Sequence, residues 1–246
     1  MRASRLGQRL GMGAILMLLA CVGKGEVRGV TVQGSPVQVK PVDEASEDFV
    51  FSAYRSALRT AVRDRDVTAL LTAVAPHLRS WLAEWLDPKR ALHGGEKEDW
   101  RELEQLLALG GTFTTTRGAV KGRREFCAPY VYSAHPWPVP SGYGSEVDPS
   151  VLLEADVAVH ASPSSTSPVL TRLSYALVRE VGGGYPGDGL PGPAWTLVIL
   201  QDDREGYVLD TQIRSPTDYH ACFAQIEGRW QMVRFARDIT PTGPPK

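Results

Sequence analysis

The sequence lacks the features that mark several classes of protein. Its formal net charge is only −1, so no basic surplus favours nucleic acid, which is usually bound by basic domains. Only three cysteines occur in 246 residues, and no C-x-x-C pair points to zinc. There is no heptad or solenoid repeat and no apolar run of eighteen residues. The apolar fraction of 43% and charged fraction of 22% are instead typical of a globular chain with one large domain or two small ones.

The first twenty residues are typical of a secretory signal peptide. Three arginines within the first nine residues form a basic region, and residues 10–20 are an apolar stretch of eleven. Because a membrane-spanning helix needs about 20 apolar residues, this stretch is too short to cross a bilayer. We expect residues 1–20 to be removed on export. Residues 21–45 hold glycine and proline without a sustained period, and we expect them to form an extended, mobile tether.

The segment Leu18-Leu19-Ala20-Cys21 resembles the end of a bacterial lipoprotein signal, in which the cysteine carries the lipid. The resemblance implies lipidation of Cys21 and, since Val22 is not acidic, the outer membrane as destination. Ordinary cleavage near Cys21 is the alternative. In either case we expect an exported protein, in the periplasm or lipid-anchored at the outer membrane, which touches the membrane only through that lipid.

Export changes what the two remaining cysteines can do. In an oxidising compartment, Cys127 and Cys222 can form a disulfide. We expect this bridge, and two separately buried thiols are the alternative.

The first half of the chain has the pattern of a small helical domain. Four segments carry apolar residues at helical spacing, followed by β-branched and aromatic runs that predict two strands. In the first helix, the pattern puts Phe49 and Val50 on the buried face and Arg55 opposite, with Ser46 as cap. We therefore expect residues 46–134 to form a helical domain ending in a β-hairpin.

The second half predicts short strands. Alternating prolines in residues 135–144 exclude both a helix and a central strand and mark a boundary. Strands about ten residues apart then favour a small barrel or sandwich. Residues 182–194 contain six glycines and three prolines, which predicts a long exposed loop.

An ordered set of segments resembles a bacterial SH3-like (Src-homology-3-like) domain. The segments are Val157-Ala158-Val159-His160-Ala161-Ser162-Pro163-Ser164, Pro168-Val169-Leu170, Trp195-Thr196-Leu197-Val198 and Asp203-Arg204-Glu205-Gly206-Tyr207-Val208. The family often has Asn and Arg where Ala158 and His160 stand, so a ligand contact by that arginine is not implied here. The resemblance implies an SH3-like β-barrel over residues 150–238, closed by a C-terminal hairpin at Glu227-Gly228. The expected fold class is α+β, and the layout resembles uncharacterised secreted bacterial SH3 domain-containing lipoproteins.

Motifs for catalysis and metal binding are absent from the sequence. There is no G-x-S-x-G elbow, no phosphate-binding G-K-[ST] loop and no pair of histidines at helical spacing. His220 lies two residues from Cys222, but that spacing alone does not make an acid–base pair. Glutamates near residue 100, Glu102 among them, are expected on a solvated helix face. We therefore expect no enzyme activity, no cofactor and no metal.

Binding is the remaining function class. Aromatic side chains on or beside loops suit glycans and extended peptides, and Tyr175, Tyr185 and Trp137 have that placement. The leading hypothesis is a non-catalytic envelope protein that binds peptidoglycan or a partner peptide through its SH3-like part. A structural subunit of an envelope complex without a glycan ligand, and an unrecognised hydrolase, are the alternatives.

Overall fold

A computed structural model describes residues 36–87, 96–115, 124–134, 148–186 and 194–237. The helices are Phe49–Arg63 (α1), Val67–Ala73 (α2), Pro76–Trp85 (α3), Glu96–Ala108 (α4) and Tyr130–Ser133 (α5), with 3₁₀ helices Ala45–Glu47 and Asp210–Gln212. The strands are Thr112–Thr114 (β1), Glu125–Ala128 (β2), Asp148–Leu152 (β3), Val157–His160 (β4), Val169–Leu173 (β5), Leu177–Pro186 (β6), Ala194–Ile199 (β7), Glu205–Leu209 (β8), Ile213–Arg214 (β9), His220–Ile226 (β10) and Arg229–Ala236 (β11). The predicted α+β class is confirmed. The predicted signal peptide, Cys21 and Trp137 lie outside the described residues.

Helices α1 and α2 begin at aspartates. The Asp48 carboxylate accepts a hydrogen bond from the Phe51 amide at 2.9 Å, and Asp66 caps α2 through the Ala69 amide in the same way. Ser46, the predicted cap of α1, lies instead within the preceding 3₁₀ helix. Within the described residues, no helix is long and apolar enough to span a membrane.

The buried face of α1 differs from the prediction. Phe49 and Val50 are 85% and 60% exposed, whereas Phe51 is fully buried among aromatic rings. Arg55, predicted to face solvent, is also buried, and its two Nη groups donate to a carboxylate and to a helix carbonyl. The apolar periodicity therefore located the helix and the buried residues Leu58, Ala61 and Val62 near its end, but it misplaced the inner face of its first half.

The C-terminal hairpin joins the helical half of the molecule. The hairpin β10–β11 forms a four-stranded antiparallel sheet in the order β1-β2-β10-β11. Its inner residues Phe223, Trp230 and Phe235 share one core with α1, α3 and α4. The sequence predicted that the hairpin would close the SH3-like barrel, and the observed pairing differs from that expectation.

A disulfide ties this sheet together. Cys127 on β2 and Cys222 on β10 lie directly opposite each other in the register, with their Cα atoms 4.1 Å apart, and their sulfurs are bonded. Both side chains are fully buried. The structure therefore contains a disulfide at Cys127 and Cys222 rather than two separately buried thiols.

The remaining strands form a seven-stranded antiparallel sheet. Its order is β5-β4-β8-β7-β6-β3-β9, so β5 and β9 are edge strands, and the described strands do not close into the expected barrel. The glycine-rich run, predicted as a loop, in part extends β6 as far as Pro186. Glycine lets β6 keep its pairing with β7 there, through two register shifts around Gly182.

Residues 37–44, which we call the strap, lie against both sheets. Beside the seven-stranded sheet, the Val39 amide donates to the Tyr175 carbonyl at 2.8 Å. Beside the four-stranded sheet, the Glu44 carboxylate accepts from the Phe113 amide on β1 at 2.7 Å. This part of the predicted tether is therefore docked rather than extended and mobile.

Candidate ligand-binding cleft

Only part of the predicted aromatic site lies within the described residues. Tyr175 lies at the turn before β6, and Tyr185 is the penultimate residue of that ten-residue strand. Tyr175 is half-buried beside the phenol of Tyr130, whose pKa is raised by burial and, to a lesser degree, by Tyr175. The side chain of Tyr185 and the whole of Trp137 lie outside the described part of the chain, so ligand binding by these three aromatics stays a prediction.

The structure instead forms a cleft of about 700 Å³ where the two sheets and α4 meet. The side chains that give it its chemistry are two aromatics, three arginines and four acids: Trp85, Tyr219, Arg101, Arg214, Arg237, Glu102, Glu154, Asp210 and Asp218. They come from α3, α4, the turn after β3, the 3₁₀ helix Asp210–Gln212, β9 and the ends of β10 and β11. A cavity of this size lies within the range of known ligand sites.

Arg214 is the central cation of the cleft. Its side chain is only 6% exposed, and its Nη2 group donates to the Glu102 carboxylate of α4 and, at 2.6 Å, to the Tyr219 carbonyl. Its Nε group is buried and has no hydrogen-bond partner within the described residues. Glu102, predicted on a solvated face, is therefore a structural partner of this arginine. The pair fixes α4 against the edge strand β9.

The loop between β9 and β10 forms one wall of the cleft and is held by its own hydrogen bonds. The Asp218 carboxylate accepts from the Ser215 amide at 2.9 Å, and the Ser215 and Thr217 hydroxyls are 2.8 Å apart. Arg237, at the end of β11, lies 3.4 Å from the other Asp218 oxygen. The wall is thus preorganised, which lowers the entropy cost of binding.

Aromatic rings form a second wall. Tyr219 stacks on Phe235 with ring centroids 5.2 Å apart, and Trp85 meets both rings edge-on at 5.7 and 4.9 Å. Trp85 is 6% exposed while Tyr219 is half-buried, so Tyr219 presents the larger surface to a ligand. A partly exposed tyrosine beside charged groups suits a ligand that is apolar on one side and polar on the other.

Two carboxylates form the acidic end of the cleft. Asp210 accepts from the Thr196 hydroxyl at 2.5 Å, and Glu154 accepts from the Gln212 side-chain amide at 3.2 Å. Asp210 and Gln212 are the first and last residues of the same 3₁₀ helix, so this one turn positions both carboxylates. Within the described ranges, neither carboxylate forms an ion pair.

A second cluster with metal-ligand chemistry lies in the four-stranded sheet. Ligand atoms of Glu125, Cys127 and Cys222 all lie within 4.8 Å of one another, and all three side chains are buried. The two sulfurs are bonded to each other, and a disulfide does not supply the thiolate that a metal requires. His220, on the same strand as Cys222, is buried with its ring stacked on Tyr132 at 3.7 Å. This cluster is therefore part of the core rather than a reactive site.

Local sequence patterns could not reveal the cleft. Glu102 and Arg214 are 112 residues apart, and neither belongs to a motif. The only signal for Tyr219 is an aromatic residue beside a predicted strand, which also describes core positions such as Trp230. Comparison with known proteins returned no matching family model, no matching curated protein and no matching solved structure.

Proposed function

We propose that this chain is an exported bacterial envelope protein that binds peptidoglycan or a partner peptide through the cleft, without catalysing a reaction. The observation that carries the proposal is the cleft itself, about 700 Å³ in volume, with an aromatic wall and a buried arginine. Glycans and peptides are recognised by this combination, since an aromatic face covers their apolar side while charged groups bind their polar atoms.

The proposal includes the relation to bacterial SH3-like domains. Four of the strands that carry the resemblance, β4, β5, β7 and β8, are neighbours in the seven-stranded sheet. Export, and lipidation at Cys21, are part of the same proposal and rest on the sequence of the first 21 residues. Mass spectrometry of the mature N-terminus distinguishes a lipidated Cys21 from ordinary cleavage.

A steric block tests the cleft directly. Thr211 is exposed and lines the cleft, so Thr211→Trp should fill it without disturbing the core. Gln201→Trp adds the same side chain at an exposed turn at the other end of β8 and is the matched control. In a pull-down with purified sacculi, we expect binding to fall at least fivefold for Thr211→Trp and to stay unchanged for Gln201→Trp.

The same pull-down separates the cleft from the aromatic positions suggested by the sequence. Tyr175→Ala should bind sacculi as the unaltered protein does, because Tyr175 is not among the residues that line the cleft. If Thr211→Trp still binds sacculi while Tyr175→Ala does not, the binding site lies at the β5–β6 turn rather than in the cleft. No binding of the unaltered protein to sacculi, or to any partner peptide, would reject the proposed function.

A specific observation favours a structural role in a complex as a second candidate. Phe49 and Val50 are adjacent, strongly exposed apolar residues at the start of α1. Contiguous exposed apolar surface is a feature of protein contact sites, and these two side chains form the start of such a surface. If this role holds, Phe49→Ser with Val50→Ser will abolish co-purification of an envelope partner and leave sacculus binding unchanged.

A further inference from the structure

We propose that the cleft selects a peptide that carries a primary ammonium group, such as the side chain of lysine or of another diamino acid. This inference rests on the proposed function, because it assigns the class of ligand to the same cleft. The observation behind it is that Asp210 and Glu154, the acidic end of the cleft, line the same cavity as the buried guanidinium of Arg214.

The charges of the cleft show which part of it is uncompensated. Arg214 is paired with Glu102, Arg237 lies 3.4 Å from Asp218, and Arg101, the third arginine of the cleft, also has an interaction partner. Asp210 and Glu154 accept hydrogen bonds only from a neutral hydroxyl and a neutral amide in the described part of the chain. An ammonium group has three donors and a full positive charge, and both carboxylates retain free acceptor positions for it. The acidic end therefore attracts a cation.

Arg214 supplies the second half of the recognition. Its Nε group is buried without an acceptor, and its guanidinium lines the cleft. A buried donor without a partner costs free energy that a ligand oxygen, such as a peptide carbonyl, can recover after a small displacement. A peptide with an amine side chain presents both a carbonyl oxygen for Arg214 and an ammonium for the acidic end.

A metal ion fits this end less well than an organic cation. Within the described ranges, Asp210 and Glu154 do not converge with a third side chain of metal-ligating type. Two carboxylates held by Thr196 and Gln212 supply at most four of the six or more oxygen ligands of a hard divalent cation, so water would have to supply the others. The volume of the cleft also suits a ligand of several residues rather than a single ion.

The test compares two probes that differ only in the ammonium group. The purified full chain is titrated with acetyl-Ala-Lys-Ala-amide and with acetyl-Ala-norleucine-Ala-amide, and binding is followed by NMR chemical shifts. The cleft variant is Asp210→Asn with Glu154→Gln. The control is Asp202→Asn with Glu205→Gln, which removes two exposed carboxylates at the other end of β8.

We expect the unaltered protein to bind the lysine peptide roughly tenfold more tightly than the norleucine peptide at low salt, since two partly exposed ion pairs supply that order of preference. The preference should shrink in 0.5 M salt, vanish in the cleft variant and persist in the control. Equal affinity for the two peptides, with sacculus binding still blocked by Thr211→Trp, would overturn the ammonium inference alone. Calcium binding that competes with the lysine peptide and is lost in the cleft variant would overturn it in favour of a metal site. Failure of the sacculus and partner-peptide assays would instead reject the proposed function.

Discussion

Removing the Arg55 side chain should destabilise the fold far more than its place on an arginine-rich helix suggests. Its Nη1 group lies 2.7 Å from both oxygens of Asp43 in the strap, and its Nη2 group donates to the Leu107 carbonyl near the end of α4 at 2.7 Å. The guanidinium also lies 5.6 Å from the centre of the Phe126 ring. One side chain therefore joins the strap, α1, α4 and β2.

The magnitude follows from how exposed each partner is. The Asp43 side chain is 47% exposed, so water replaces much of its lost ion pair, and we assign about 1 kcal/mol to it. The Leu107 carbonyl is buried and would lose its charged donor, which costs about 1–3 kcal/mol. The contact with the Phe126 ring contributes about 0.5–1 kcal/mol more. We expect Arg55→Ala to lower the free energy of unfolding by about 3 kcal/mol and Asp43→Asn to lower it by about 1 kcal/mol.

Urea unfolding followed by circular dichroism, with the disulfide intact, measures both changes. At a slope of about 2 kcal/mol/M, Arg55→Ala should shift the midpoint by roughly 1.5 M. Arg63→Ala is the control, because Arg63 and its partner Asp64 are 64% and 55% exposed and the loss of their ion pair should leave the midpoint nearly unchanged. Equal losses for Arg55→Ala and Asp43→Asn would refute the reasoning, since the whole effect would then lie in the exposed ion pair rather than in the buried carbonyl.

Two further changes test the four-stranded sheet. Replacing Cys127 and Cys222 by alanine opens a loop with a sequence separation of 95 and should lower the free energy of unfolding by up to about 4–5 kcal/mol in the chain-entropy view. Titratable thiols at both Cys127 and Cys222 in denatured, unreduced protein would contradict the bridge. Gly111→Ala should cost at least about 2 kcal/mol in the same urea assay, because an added Cβ would lie 2.1 Å from the Cys127 carbonyl oxygen. Gly183→Ala is its control: the nearest neighbour there is the Thr196 hydroxyl at 3.2 Å, and a loss as large as that of Gly111→Ala would contradict the steric explanation.

Secondary structure was largely predictable because it depends on nearby residues. The apolar spacing located α1 to α4, and β-branched alternation located strands such as Val157–His160 and Val169–Leu173. The face of α1 was predictable only in part, since Leu58, Ala61 and Val62 are buried as the spacing predicts but Arg55 is buried as well. The burial of Arg55 depends on Asp43 and Leu107, which are brought to α1 only by tertiary folding.

The position of the C-terminal hairpin shows a second limit. Alternating apolar runs around Glu227-Gly228 located the hairpin but did not indicate which sheet it joins, because both sheets offer an apolar face. The cysteine pair contained the missing information, since a bond between Cys127 and Cys222 requires β10 to lie beside β2. For the cleft no such clue exists, because its charged residues come from distant segments and are ordinary surface types when considered alone.

The strap has a consequence for how the two sheets respond to local opening. Between Val39 and Glu44 it is bonded to the turn at Tyr175, to Arg55 on α1 and to β1. Detachment of this one short segment would therefore remove contacts from both sheets at once, so the sheets that border the cleft are coupled through it.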